Sequence, residues 1–508
     1  MQILLLLLIL ALFMHDALPA FGQEVPRLDW GPLLAVVIGP KLALLAGYWA
    51  LCRRALGRLG KPGTQKLMLR LDRAGAFYRT AAIVLYFLDL YLGLLVAVCS
   101  LTPEWVVVID ELFVLTPTLM LLIASWWAYY PIERRVRESA IIGRLDAGLP
   151  IYPVLTRGQF VLSQVRHHMA LILVPLLLIF TWAQLVERFA DGWRVWGLDA
   201  QPVVVFLGAG SVFMFAPLII RHVWDTVPLP AGELRDRLEA MCRKHRVGVR
   251  ELLLWRTFGG MINAAVMGLF APVRYILLTD ALLEMVRREQ VEAVMAHELA
   301  HVRRHHMFWL IATALGALGA FQLVFGLLFF AMAEALPAGD AGAGPMPVTA
   351  GWDLGLLDLL RSEDGIIGAT LLCAGVGWAV VFGWVSRRIE RQADTFAVQH
   401  MVGTRDQPER DAAGHIIVDR LSAETMIGAL QQVALLNHMP IHKRSWRHGS
   451  IGWRQAYLRS LVGQPVDRLG IDRQMVWIKG AALATVLAVI GVYVLATVFA
   501  GAEVHITL

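Results

Sequence analysis

The stretch "VMAHELAHVRRHHMFWLIATALGALGAFQLVFGLLFFAMA", residues 294–333, joins a histidine-rich polar segment directly to a long apolar one. The polar part and the residues just before it, 287–307, contain no Gly or Pro, which favours a helix. The apolar part, 308–333, exceeds the roughly 20 helical residues needed to cross a hydrocarbon core. This stretch therefore predicts a polar helix at a membrane surface, followed by a membrane span.

The composition predicts that most of the chain lies in a membrane. Only 17% of the 508 residues are charged and 57% are hydrophobic, whereas soluble domains carry about 25% charged residues. An apolar segment within residues 1–20 indicates a signal peptide or an anchor. The fold is predicted to be mainly α and polytopic, with about 8–9 transmembrane helices; eight of these are expected near 33–51, 79–101, 105–129, 168–188, 203–223, 308–333, 365–386 and 478–500.

Two long polar stretches lie between these apolar runs and predict one domain in two pieces. The stretches are 224–307 and 387–477, and the apolar residues 308–386 form a predicted transmembrane hairpin between them. Residues 1–223 are then an N-terminal multi-span region, and 478–508 a C-terminal transmembrane helix.

The distribution of basic residues predicts which side of the membrane each loop lies on. Arginine is abundant in the loops 52–79 and 130–167, and loops rich in Lys and Arg stay on the cytoplasmic side. Both polar stretches are therefore expected on that side, and the chain is predicted to be an integral protein of a bacterial inner membrane. Because the basic residues flank spans rather than gather on a soluble domain, no nucleic-acid partner is expected.

His297 and His301 are four residues apart, so a helix places both on one face. Neutral imidazoles at this spacing can hold one metal ion. Glu298 is rotated about 100° from His297, where a general base for a metal-activated water belongs. A solvated helix face or a buried histidine pair remains an alternative. A straight helix would carry His305 and His306 away from the first two histidines, so both are interpreted as membrane-surface residues.

A third ligand is predicted from "RRIERQADTFAVQH", residues 387–400. Glu390 and Asp394 share one helical face. Glu390 would complete a His2Glu set, and Asp394 would hydrogen-bond a histidine ligand and orient it. Taken alone, the two acids would be better explained as a surface pair among arginines; together with the HExxH motif they favour the metal site.

With "NAAVMG" at 263–268, these motifs resemble the integral-membrane zinc metalloproteases that include the type I CAAX prenyl proteases and the HtpX-type heat-shock proteases. The line from Asn263 to Val302 is similar to their pattern of an edge strand, a second strand, a short helix and the zinc helix. The resemblance implies a zincin-like α+β catalytic domain inserted among the membrane helices. It spans about 228–310 and 385–460.

The family also implies roles for individual residues. One Zn²⁺ per chain would be bound by His297, His301 and Glu390, with Glu298 as general base and general acid. In "HGSIGWR", 448–454, His448 would stabilise the transition state, although Gly449 stands where the family has proline. The edge strand would pair with an extended substrate, and the residues predicted to bind it are Asn263, Ala264, Ala265 and Gly268.

The sequence therefore predicts a membrane-embedded zinc-dependent metalloendopeptidase. Its partners would be the lipid bilayer and a peptide or membrane-protein substrate near the membrane, cleaved by zinc-activated water. Two alternatives are a signalling protease of the antibiotic-sensor type and a non-catalytic transporter with a degenerate site. The intact Glu298 argues against the transporter. The oligomeric state is not predicted.

Overall fold

The computed structural model describes residues 29–60, 64–99, 101, 108–146, 148, 151–189, 194–195, 198–335, 363–437 and 439–506. The chain divides into two compact units, Met1–Thr226 and Val227–Leu508. The predicted signal peptide or anchor within 1–20 lies outside the described residues. The finer domain division, with its hairpin at 308–386, stays a prediction.

The described residues of the first unit form mainly helices, together with one short strand pair. Its helices are α1 Trp30–Leu56, α2 Thr64–Tyr91, α3 Leu94–Cys99, α4 Ile109–Asp146, α5 Arg157–Val165, α6 Leu171–Arg188 and α7 Gln201–Val223. A π-helical turn, Arg166–Ala170, joins α5 to α6. The strands β1 Arg194–Val195 and β2 Leu198–Asp199 pair in antiparallel fashion.

A buried ion pair lies inside the first unit. The Lys41 ammonium of α1 donates to the Asp89 carboxylate of α2 and to the Val37 carbonyl. Both charged side chains are buried. Charges removed from water are stable only when they are paired and hydrogen-bonded, so this contact ties α1 to α2.

The second unit combines one small sheet with long helices. The strands are β3 Thr226–Pro228, which begins at the boundary between the units, β4 Glu251–Trp255, β5 Ala264–Met267 and β6 Tyr275–Thr279. The helices are α8 Glu233–Lys244, α9 Asp280–Met285, α10 Arg288–Arg303, α11 His306–Ala335, α12 Glu363–Val402, α13 Arg420–Leu436, α14 Ile451–Arg459 and α15 Gly470–Ile506.

The sheet has the strand order β3-β4-β6-β5. β4 runs parallel to β6, with Glu251 opposite Tyr275, and β5 runs antiparallel to β6, with Ala264 opposite Leu278. All five residues of β6 are buried, which agrees with its continuous apolar sequence. β5 is therefore an edge strand of this sheet, and one side of its backbone faces away from β6.

The core of the second unit draws on both polar stretches of the sequence. One cluster of buried side chains includes Leu238 of α8, Ile276 of β6, Leu299 of α10, Ala397 of α12 and Leu458 of α14. Burial of apolar surface contributes about 25 cal/mol per Å², so this shared core holds α10 and α12 side by side. That packing positions the site.

Seven described helices are long and apolar enough to cross a membrane. They cover seven of the eight predicted spans, and the protein is mainly helical and polytopic, as expected. The predicted span near 79–101 is not among them. Its apolar run is interrupted because α2 ends at Tyr91 and Gly93 adopts a left-handed φ of 81° before α3 begins.

A buried carboxylate shapes the loop that leads into the edge strand. Asp280, at the start of α9, accepts hydrogen bonds from the amides of Thr257, Phe258 and Ala281 and from the Thr257 hydroxyl, at 2.6–3.1 Å. Phe258 has a φ of 53°, so the loop bends sharply at this contact. Asp280 thereby fixes where β5 begins.

Replacing Asp280 with alanine should destabilise the second unit. Each amide left without an acceptor costs about 1–3 kcal/mol, so the midpoint of thermal unfolding in detergent should fall by several degrees. Asp280→Asn keeps one acceptor oxygen and should fall between the alanine variant and the wild type. An alanine variant that unfolds at the wild-type temperature would show that the loop does not depend on this carboxylate.

Candidate metal centre

The two histidines of the HExxH motif lie on one face of α10. Their Nε2 atoms are 3.2 Å apart; His297 is buried and His301 is partly buried. The helix packs its apolar residues into the core of the second unit, so this polar face points toward α12. The i, i+4 spacing thus brings two imidazole nitrogens together, as the sequence predicts.

Glu390 of α12 supplies the third candidate ligand. Its carboxylate oxygens lie 3.7 Å from His297 Nε2 and 4.0 Å from His301 Nε2, and one atom from each of the three residues lies within 4.8 Å of the others. Ligand atoms held at about 2.0–2.2 Å from zinc in a tetrahedron are about 3.3–3.6 Å apart. Two imidazoles and one carboxylate at this separation fit a zinc ion with small adjustments.

Asp394 lies one turn beyond Glu390 and is fully buried. Its Oδ1 is 2.9 Å from His297 Nδ1, so the proton of this ring belongs on Nδ1 and Nε2 keeps a free lone pair. Burial opposes a charge on His297, but the carboxylate outweighs it and raises the pKa of His297. A metal ion and a proton would therefore compete for this ring.

Arg454 of α14 binds both acids of α12. Its Nε and Nη2 donate to the two oxygens of Asp394 at 2.7 and 2.5 Å, and its Nη1 is 3.3 Å from Glu390 Oε2. Burial works against the charge, but the Asp394 carboxylate raises the pKa of Arg454 further above its ordinary value. The permanent positive charge keeps Glu390 and Asp394 ionised and fixes their orientation.

His301 is oriented by a chain of hydrogen bonds that the sequence did not predict. His306 Nδ1 is 3.1 Å from His301 Nδ1, His306 Nε2 is 3.0 Å from Gln392 Oε1, and Gln392 Nε2 donates to Asp472 at 2.6 Å. Because the amide oxygen of Gln392 can only accept, His306 must donate from Nε2 and accept at Nδ1. His301 Nδ1 is therefore the donor, which leaves His301 Nε2 free to bind a metal.

The interpretation of His306 as a membrane-surface residue is wrong. α10 ends at Arg303, His305 takes a left-handed φ of 55°, and α11 begins at His306. The chain therefore turns instead of continuing as a straight helix, and His306 is buried against His301 while His305 stays exposed. The only feature of the sequence that could have indicated a role for His306 is the cluster of histidines after the HExxH motif.

Glu298 lies beside the two histidines and next to the edge strand. Burial raises the pKa of this carboxyl to about 7, and a hydrogen bond from the backbone of Val266 in β5 acts in the opposite direction. Burial likewise lowers the pKa of His301 to about 4, so that imidazole is neutral near pH 7. A neutral ligand nitrogen and an acid that titrates near neutrality suit general acid–base chemistry.

His448 is half exposed, with its Nδ1 2.9 Å from Glu390 Oε1. The following residue, Gly449, has a φ of 74°, and a Cβ there would lie 2.9 Å from the Trp453 ring. Proline requires a φ near −65°, which explains why this position departs from the family motif. The structure brings His448 to the site, and its role stays a prediction.

The register of β5 decides which of its amides are free to meet a substrate. Thr279 donates to the Asn263 carbonyl, so the alternation of an antiparallel ladder turns Ala265 toward β6 as well. Ala264 and Val266 then face the open edge. Gly268 ends the strand at a φ of 102°, where a Cβ would lie 2.2 Å from the Val273 carbonyl oxygen. Substrate binding by Asn263, Ala264, Ala265 and Gly268 stays a prediction, for which Ala264 has the favourable orientation.

Comparison with known proteins relates part of this chain to a family of peptidases. Residues 228–444 match the model of peptidase family M48, which confirms the resemblance of this segment to the membrane zinc metallopeptidases. A protease HtpX homolog of Aeropyrum pernix is 27% identical over 219 residues, which are 40% of this chain and 62% of that relative. The chain thus spans less than two thirds of the relative's length. The crystal structure of S. mikatae Ste24p covers 86% of this chain and all of its own, at 14% identity and a TM-score of 0.48.

His306→Ala should weaken zinc binding without removing a ligand. Loss of a partner that orients a metal-bound histidine typically costs about 10–100-fold in affinity. Competition of the purified variant with a chromophoric chelator measures that affinity. His305→Ala is the matched control, because His305 is the exposed neighbour, and it should bind zinc like the wild type. Equal affinities for the two variants would remove His306 from the centre.

Proposed function

We propose that this chain is a membrane-embedded, zinc-dependent metalloendopeptidase that hydrolyses peptide bonds of membrane-associated or membrane-proximal substrates. The supporting observation is the convergence of His297, His301 and Glu390 beside a Glu298 carboxylate whose pKa is raised to about 7. The match of residues 228–444 to peptidase family M48 supports the same reaction.

His297, His301 and Glu390 would hold one zinc ion per chain. Zinc bound by three protein ligands would supply Lewis acidity, which lowers the pKa of water to about 7 and polarises a carbonyl. Asp394 and His306 would keep both imidazoles in the tautomer that presents Nε2. Arg454 would balance the charge of the two acids on α12.

Glu298 would move the protons of the reaction. Its raised pKa allows it to accept a proton from the attacking water and to return one to the leaving amine at near-neutral pH. The Val266 backbone, through its hydrogen bond to this carboxylate, would hold it next to the edge strand. His448, beside Glu390, would stabilise the negative charge that develops on the carbonyl oxygen.

The substrate would bind as an extended strand along β5. The edge amide and carbonyl of Ala264 would pair with substrate backbone, in the manner of β-strand addition. Because the contacts are to backbone, this binding mode would favour substrates in an extended conformation and would depend little on their side chains. It would also set the scissile bond beside Glu298, since Val266 of the same strand contacts that carboxylate.

Glu298→Gln should keep the metal and lose the activity. General acid–base catalysis contributes about 10²–10⁴-fold, so cleavage of an unstructured casein-type substrate should fall by at least that range while zinc content stays at one per chain. Glu390→Ala is the contrasting variant, because it removes a ligand and should lose both zinc and cleavage. Near-normal cleavage by Glu298→Gln would reject Glu298 as the base.

We also propose that the site faces the cytoplasm of a bacterial cell. The arginine-rich loops 52–79 and 130–167 can lie on the same side of the membrane only if the segment 79–101 also crosses it. Otherwise the single predicted span 105–129 would separate the two loops and put them on opposite sides. The loop 130–167 is two predicted spans, 168–188 and 203–223, away from the second unit, so its arginines favour the same side of the membrane for that unit.

Cysteine labelling should verify this orientation. In a cysteine-free background, single cysteines at Arg243 and Arg410, both exposed, should resist a membrane-impermeant thiol reagent in intact cells and react after lysis. A cysteine at Asp340, in the predicted loop of the opposite side, is the control and should react in intact cells. The reverse pattern would show that the site faces outward.

A further inference from the structure

The loop that carries His448, residues 441–449, is attached to the side of a membrane span. The Trp446 indole donates to the Ala379 carbonyl of α12 at 3.0 Å and stacks on Phe382, with ring centroids 5.4 Å apart. It fills the space that a side chain at Gly383 would need, since a Cβ there would lie 2.4 Å from the indole nitrogen. The lack of a side chain at Gly383 thus leaves room for the tryptophan ring, and we call this position the seat of Trp446.

The depth of this contact places the loop at the membrane boundary. The apolar part of α12 ends at Arg387, whose Nη1 donates to the Trp446 carbonyl at 2.7 Å. Gly383 and Ala379 precede Arg387 by four and eight residues, or about 6 and 12 Å along the helix. The loop backbone therefore lies level with the end of the span, and the indole reaches below it, as interfacial tryptophans do.

Three basic side chains of the same loop remain exposed at this level. They are Lys443, Arg444 and Arg447, and within the described part of the chain none of them forms an ion pair. Unpaired basic residues beside a membrane span attract anionic headgroups, each favouring the charged surface by about fivefold. The contacts of Trp446 hold the loop at this level, so the three charges lie beside the end of the span, where lipid headgroups would be.

We propose that the loop 441–449 binds the phosphate groups of anionic lipids through Lys443, Arg444 and Arg447. The loop is fixed at one end by Trp446 in its seat and at the other by Ser450, which caps α14. His448 lies between these points and contacts Glu390. Binding of headgroups would restrain the loop at the membrane surface and keep His448 in contact with Glu390. Anionic lipid would therefore raise the turnover of the enzyme. This second effect rests on the proposed function.

A label on the loop tests lipid binding independently of activity. The full chain is placed in nanodiscs, with a nitroxide on a cysteine at the exposed His442 in a cysteine-free background. Accessibility to a neutral nickel chelate is compared in phosphatidylcholine with and without added phosphatidylglycerol. The anionic lipid should lower the accessibility severalfold, and changing Lys443, Arg444 and Arg447 together to glutamine should abolish that difference. An accessibility that ignores phosphatidylglycerol in the wild type would overturn the proposal.

Two further triple variants separate a headgroup contact from a general loss of charge. Lys443→Arg, Arg444→Lys and Arg447→Lys together retain the charge and should respond like the wild type. Arg287, Arg410 and Arg420 are exposed. Arg287 and Arg420 lie at the N-terminal ends of α10 and α13, about 25 Å along each helix from its C-terminal end, and Arg410 lies ten residues before α13. Their replacement by glutamine is the matched control and should leave the response intact. A control variant that loses the response would contradict a site in this loop.

Activity in the same nanodiscs tests the effect on His448. Phosphatidylglycerol should raise kcat severalfold in the wild type with little change in KM, and the glutamine triple variant should keep the basal rate but lose the increase. Soluble glycerol phosphate added to neutral nanodiscs should not reproduce it; if it does, the ligand is a free anion and the lipid assignment is wrong. A label that responds without any change in kcat would refute the effect on His448. Absence of cleavage in every lipid would reject the proposed function, and the label would still decide lipid binding.

Discussion

The Arg454 guanidinium holds two carboxylates of α12 at once, and the geometry of the metal centre depends on that contact. Asp394 takes two of its hydrogen bonds and Glu390 lies 3.3 Å from a third nitrogen. All three groups are buried. Breaking a buried ion pair by removing one partner costs about 3–5 kcal/mol, because the remaining charge loses its compensation. The network therefore ties α14 to α12 and sets both acids toward α10.

Asp394 of this network and a second, separate chain of hydrogen bonds set the tautomers of the two histidines. Asp394 keeps the His297 proton on Nδ1, and the chain through His306 and Gln392 does the same for His301. Both Nε2 atoms are left as acceptors on one side, where Glu390 faces them. In their neutral forms the two imidazoles would present these nitrogens to a cation without rearrangement, which would reduce the cost of organising ligands when it binds.

Helix α12 connects the apolar, span-forming part of the protein to the candidate site. This helix carries an apolar segment, the end of that segment at Arg387, and then Glu390 and Asp394 on the next turns. The candidate metal centre consequently lies just beyond the apolar part of a span, and His448 approaches it from a loop whose tryptophan packs on the span itself. A site built in this way would suit the membrane-proximal peptide substrates that we propose.

The sequence determined those features that depend on local periodicity. Apolar runs predicted seven spans that the helices contain, and i, i+4 spacing put His297 with His301 and Glu390 with Asp394. Tertiary structure decided the rest, because its contacts join residues far apart in the chain. The left-handed turn at His305 brought His306 inward, α14 carried Arg454 to the acids of α12, and the sheet register turned Val266 toward Glu298. Spacing along a helix specifies which side chains share a face, whereas only the packing of the common core specifies what that face meets.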